Sequence, residues 1–234
     1  QGLGRIIVQF IWQRPTNEYS PWIRVVQPHG GLGKGFYFIP EIDEKVMVSF
    51  ENQNAERPYV IGSHYNGKSK SGYATSGNDK KVIHTRSGTK IILNDAEGSV
   101  FIEDPSGNTY FMDGQGNINV NAPKNMTFTA GENVNISAGQ NIVTNAGQDM
   151  NIGVGNNMST NIGNDHSVQI TNNHTFNSND YQQNVKGNKT IDVGGSLEES
   201  TSETTHRAKS GEILMQSAGV AKKKKKIDAK VNKG

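Results

Sequence analysis

From Gly131 to Ala218 the chain repeats with a period of eight residues, and that period constrains the fold more than any other feature. In register it reads GENVNISA, GQNIVTNA, GQDMNIGV, GNNMSTNI and GNDHSVQI, weakens through TNNHTFNS and NDYQQNVK, and returns as GNKTIDVG. QGNINVNA from Gln115 and PKNMTFTA from Pro123 already keep the spacing. The fourth and sixth places of an octad are mostly apolar, as in Val134 with Ile136 and Met150 with Ile152. Ile142, Met158 and Val168 hold the same places in theirs. A spacing of two belongs to a strand with one buried face, and the Gly that opens most octads, followed by Asn or Gln, supplies a bend. Each octad is therefore predicted to be one short strand followed by a corner.

No octad can bury its own face. Extended at about 3.3 Å per residue it spans roughly 25 Å and offers one or two apolar side chains, so stacking is compulsory. Two arrangements satisfy it: a single-chain solenoid with three octads per coil, or a prism wound from three chains. The inward places hold much Ala, Thr and polar material, and Ala122, Ala130, Ala138 and Ala146 close four consecutive octads. So thin a contribution suits a narrow interior shared by three chains. The predicted trimer core is Val134, Ile136, Ile142, Met150, Ile152, Met158 and Val168.

Composition points the same way. Hydrophobic residues make up 32% of the 234, below the roughly 45–50% of an ordinary globular domain, so a large core within one chain is not expected. A net charge of +2 favours neither a nucleic-acid nor an acidic partner. The absence of Cys excludes disulfides and thiolate metal sites. The chain opens on Gln1 without a charged and apolar leader and has no run of about 20 apolar residues, so it reads as part of a longer polypeptide without a membrane anchor.

Before the repeats, residues 1–65 carry five β runs: RIIVQFIW (5–12), WIRVV (22–26), GFYFIP (35–40), KVMVSF (45–50) and PYVIG (58–62). Five short strands in so few residues predict a small closed barrel of the OB type. Its aromatics, among them Phe10, Trp12, Tyr19, Trp22 and Phe36 to Phe38, read as barrel core and interface, with a stacking platform for nucleic acid as the alternative. GRIIVQFIW, SPWIRVVQPHGGLGKGFYFIPEIDEKVMVSF and AERPYVIGSHYN together resemble the barrel of VgrG-type spike proteins and of related spikes in contractile phage tails. The departure is QNAERP (53–58), where that family more often carries a Gly-Asp-Pro turn. The resemblance implies a β-prism after the barrel.

Residues 66–81 are polar and read as a linker, 82–114 as a β-strand neck, 115–218 as the octad prism, and 219–234, with five lysines at 222–226, as a basic tip or solvated tail. The expected fold is all-β: a small OB-type barrel followed by an intertwined trimeric β-prism of octapeptide repeats.

No chemistry of a known catalytic kind emerges, and no enzyme is expected. GGLGKG (30–35) lacks the first Gly of a phosphate loop, since Pro28 stands there, and Gly35 replaces the hydroxyl residue after Lys34. Calcium-binding rolls use nine-residue units with Asp, unlike these octads. Glu198, Glu199, Glu203 and Glu212 read as a solvated acidic face. His166, His174 and His206 all count to the fourth place of an octad. On a threefold axis each would form a ring of three imidazoles able to hold a metal or an anion; with the register slipped they are ordinary histidines. No cofactor is expected beyond such axial ions.

The resemblance implies a homotrimeric spike of a type VI secretion apparatus that punctures membranes. A tube protein ring would stand at its base, a tip protein or effector at its carboxy-terminal end, and a target cell envelope ahead of it. It would be assembled in the bacterial cytoplasm and then injected. The alternatives are a spike of a contractile phage or phage-like particle, a polysaccharide-binding β-solenoid, and an OB-type nucleic-acid binder.

Overall fold

The structure, a computed structural model, describes residues 2–219 and separates into two units, the first running to Asn145 and the second beginning at Ala146. The lysine run at 222–226 lies outside the described residues. Among the described residues the only helix is two three-residue 3-10 turns, Ile11–Gln13 and Glu51–Gln53, so the fold is all-β.

The first unit opens with a four-stranded sheet of order β1-β2-β6-β5: β1 Arg5–Ile6, β2 Ile23–Val25, β5 Val46–Phe50 and β6 Pro58–Ser63. β2 and β6 run parallel, with Arg24 opposite Tyr59, and the other pairs are antiparallel. Apart from these, β3 (Gly30–Gly31) and β4 (Lys34–Gly35) form a two-stranded hairpin. The buried core is correspondingly small: Val8, Ile23 and Val60, flanked by Ile6, Phe10, Val25, Val46 and Val48.

Two of the five predicted runs are shorter than expected, and the ring does not close between β1 and β5. Residues 5–12 pair only at Arg5–Ile6 before the 3-10 turn, and residues 36–40 join no strand. Side chains supply the reason. The Gln27 amide donates to the Phe38 carbonyl at 3.0 Å and accepts from the Phe38 amide at 3.5 Å, occupying the groups a neighbouring strand would have used. GGLGKG is the β3–β4 hairpin, with Leu32 fully exposed at its tip. Gly35, at φ +121°, cannot carry a side chain, because a Cβ would stand 2.3 Å from the His29 carbonyl oxygen.

A five-stranded antiparallel meander follows: β7 Lys80–His84, β8 Lys90–Asn94, β9 Ser99–Glu103, β10 Thr109–Met112 and β11 Ile118–Asn121. The segment before it is held to the sheet, since the Tyr73 hydroxyl lies 2.9 Å from His84 Nδ1 and the Thr75 hydroxyl donates to Asp79 at 2.9 Å. QGNINVNA is thus not a prism octad but the fifth strand of this sheet, paired through Ile118 with Met112 and Val120 with Tyr110. Tight turns rich in Gly, Asp and Asn join the strands because their side chains bond their own backbones. Asp104 accepts from the backbone and side chains of both Ser106 and Asn108, and Asp113 accepts from the Gln115 and Asn117 amides and the Asn117 side chain.

Beyond β11 the chain is extended and turns corners. In the first unit they fall at 123–124, 131–132 and 139–140. In the second they fall at 147–148, 155–156, 163–164, 171–172, 179, 186–187, 194–195, 202, 209–211 and 218–219. The predicted corners are therefore present, and they persist where the sequence repeat weakens. The predicted strands are not paired: among the described residues no backbone-to-backbone hydrogen bond reaches residues 122–219.

Candidate functional site

The surfaces able to act are apolar faces without a partner among the described residues. Across the meander, Ile83, Ile91, Ile102, Tyr110 and Val120 stand opposite one another in a single row through all five strands. A second row two residues away, Leu93, Val100, Met112 and Ile118, lies on the same face. Strand alternation sends Val82, Ile92, Phe101 and Phe111 to the opposite face, where Phe101 and Phe111 meet edge to face at 5.9 Å. That opposite face is half-buried, whereas every member of the first row is exposed. An exposed apolar row, flanked by a second row in which Leu93 and Ile118 are exposed and Val100 and Met112 half-buried, is the mark of an interaction surface rather than of scattered surface residues.

The octads show the same property one at a time. Val134, Ile136, Ile142, Met150, Ile152, Met158 and Val168 are all exposed in the single chain, at 61–76%. The residue just before a corner is steadily less exposed: Val154, Ile162 and Ile170 lie at 45–48%. Val185 and Val193, at 46% and 42%, continue that series. Both directly precede the corners at 186–187 and 194–195, although a strict count of eight from Gly131 would put them in the seventh place. The interval from the corner at 179 to that at 186 is seven residues, and it shifts the corners at 186, 194 and 202 by one.

This shift separates the three candidate histidines. His166 and His174 are the fourth residues of octads opening at 163 and 171, equivalent to Val134 and Met150. His206 is the fifth residue after the corner opening at 202, so it leaves that series. Glu198 and Glu199, adjacent in sequence, point to opposite sides of an extended chain and form no pair.

A cleft of about 950 Å³ lies along the open seam of the first sheet, lined by residues from Arg5 to Arg14 on one side and from Ile39 to Phe50 on the other. Phe10 sits between Trp12, stacked at 4.5 Å and 5°, and Phe50, at 6.4 Å and 21°. Of the aromatics in the sequence prediction, Phe10 and Trp12 therefore join Phe50 in a stack at the seam, and Phe36 and Phe38 form a separate pair at 6.1 Å.

The decisive comparison concerns this part of the chain: residues 1–65 match the family of the type VI secretion system/phage-baseplate injector OB domain. Residues 1–65 thus resemble an injector OB domain. The chain is also similar to curated spike proteins. It is 34% identical over 83 residues to the type VI secretion system spike protein VgrG3 of Vibrio cholerae, which covers 34% of this chain and 8% of that protein. It is 38% identical over 90 residues to the spike protein VgrG1c of Pseudomonas aeruginosa, covering 37% and 12%. A further relative is the actin cross-linking toxin VgrG1 of Vibrio cholerae, 31% identical over 83 residues. The chain thus spans about a tenth of the length of these relatives, and the resemblance to VgrG-type type VI secretion spikes stands on both comparisons.

Within residues 1–65, the loop at QNAERP departs from the pattern of that family and has a recognisable shape. The 3-10 turn Glu51–Gln53 carries two residues in the left-handed region, Asn52 at φ 49° and Gln53 at φ 60°. The Arg24 guanidinium holds the start of this turn by its pair to Glu51 at 2.8 Å. Elsewhere in the first unit, Arg86 of the β7–β8 turn reaches Glu41 at 3.0 Å.

Proposed function

We propose that this chain is a structural subunit of a homotrimeric spike, with its octads wound into a three-chain β-prism behind the injector OB domain. One observation carries the reading. Residues 122–219 turn a corner about every eight residues, yet find no backbone partner among the described residues and leave their apolar places open. A single-chain solenoid would satisfy those amides and carbonyls between its own coils, so their vacancy favours partners from other copies. Shared strands then abolish free edges and stiffen the assembly.

The role that follows is mechanical: the spike heads an injected tube, rests on the tube protein ring at its base, carries a tip protein or effector at its carboxy-terminal end, and breaches a target cell envelope. It is assembled in the bacterial cytoplasm and leaves by injection. Among the described residues no helix is long and apolar enough to cross a membrane. His166 and His174 would form two imidazole rings on the axis, and any axial ion belongs to them. A spike of a contractile phage or phage-like particle is the second reading, since the matched family spans phage baseplates as well.

The test is mass in solution by light scattering. A trimer of about 76 kDa, three times the 25.5 kDa chain, is expected. A folded monomer would overturn the proposal.

A further inference from the structure

The third residue of each octad opening from Pro123 to Thr171 is Asn or Asp. In the second unit these are Asp149, Asn157, Asp165 and Asn173, at uninterrupted steps of eight, and Asn125, Asn133 and Asn141 hold the same place in the first. All are exposed, and among the described residues none of their side chains makes a hydrogen bond within the chain. A corner position can be filled by many polar residues, as the neighbouring second place shows with Lys124, Glu132, Gln148 and Asn156. Confinement to this one pair of residue types therefore asks for a partner that reads a short amide or carboxylate.

We infer that this place forms a hydrogen-bonded ladder between copies of the chain, with a second and third copy as its occupants. The inference rests on the trimeric reading and adds the contact that sets register between chains. In a prism wound from three chains, neighbouring strands on one face come from different copies and are about 4.8 Å apart, the spacing at which stacked Asn side chains bond amide to carbonyl. The order of residues supports this geometry. Asp149 and Asp165 are separated by Asn157, and Asp165 is followed by Asn173, so no carboxylate stands next to another and each has an amide donor beside it. Carboxylates in adjacent rungs would repel, whereas a carboxylate against an amide makes a charge-assisted bond.

Asn157→Asp tests the ladder, because it places three carboxylates in succession in each column. The thermal midpoint of the assembled protein should fall by several degrees at pH 7 and recover near pH 4, where carboxylates take up protons. Asn156→Asp adds the same charge one place earlier and should shift the midpoint little at either pH. In an Asp165→Asn background one of the two repulsive neighbours is gone, and Asn157→Asp should cost about half as much. Equal shifts for the 156 and 157 variants, or a fall that persists at pH 4, would overturn the ladder. Light scattering on the unaltered protein keeps the two ideas apart: a monomer defeats the trimer, and a trimer in which these variants behave alike defeats the ladder alone.

Discussion

Val8 and Ser20 bind each other twice: the Ser20 amide donates to the Val8 carbonyl at 2.9 Å, and the Val8 amide donates to the Ser20 hydroxyl oxygen at 2.9 Å. Both residues are buried. The hydroxyl thus replaces the strand partner that β1 loses after Ile6, and it passes its own proton to the Pro21 carbonyl at 2.8 Å. Ser20→Ala would leave the Val8 amide buried without an acceptor, at a cost of about 1–3 kcal/mol. Chemical unfolding followed by tryptophan fluorescence should show it, because Trp12 and Trp22 lie in the same domain.

Gly114 and Gly116 share a turn but should respond differently to substitution. Both have positive φ, 76° and 96°. A Cβ on Gly114 would stand 2.1 Å from the Glu97 carbonyl oxygen, whereas one on Gly116 meets nothing within 4 Å. Gly116→Ala should cost about 1 kcal/mol for its backbone angle alone. Gly114→Ala must also move the β8–β9 turn and should cost clearly more, which thermal melts of the two variants would compare.

Asp104 should titrate low. Hydrogen bonds from Ser106 and Asn108 hold its carboxyl down at about 2, against an ordinary value of 3.8. A carboxyl depressed in the folded state favours folding above its unfolded pKa, so this contribution is complete above about pH 4 and is lost as pH falls towards 2. Asp113 is lowered in the same direction, chiefly by the Asn117 side chain. Carboxyl-carbon NMR titration should place Asp104 well below the ordinary 3.8, and Asn108→Ala should bring it back towards that value.

Ile152 and Asn151 test the packing of the octads. Ile152 holds the sixth place and is 63% exposed in the single chain. In the trimer, Ile152→Asp would set three carboxylates close to one axis and should prevent assembly or sharply lower the melting temperature. Asn151→Asp, facing out, should be nearly silent. Equal effects would mean the wrong face was assigned inward.

Sequence reasoning found what local chemistry determines. The turns AEG, PSGN and GQGN lie between strands as expected, because Asp, Asn and Gly act within four residues of themselves. The alternation of the meander was equally readable, although which of its two faces stays exposed needed the structure. What was missed depends on distant partners. The expected strand at 35–40 is diverted by Gln27, a side chain far from it in sequence. Beyond 179 the Gly of GNKTIDVG suggested a phase starting at 187, while the corner opens one residue earlier at Lys186. Val185 and Val193, the residues preceding consecutive corners, were the available signal for that change.

The seven-residue interval between 179 and 186 acts as a phase jump in a wave. Upstream of it, even places counted from Gly131 share one side of the chain; downstream, the same count selects the other side. A segment transplanted from one side of the jump to the other would keep its glycines in view and turn its wet and dry faces inside out. Anyone fusing a cargo or grafting an octad onto this chain must match the parity of the junction, and a count of eights begun at Gly131 will give the wrong answer past residue 186.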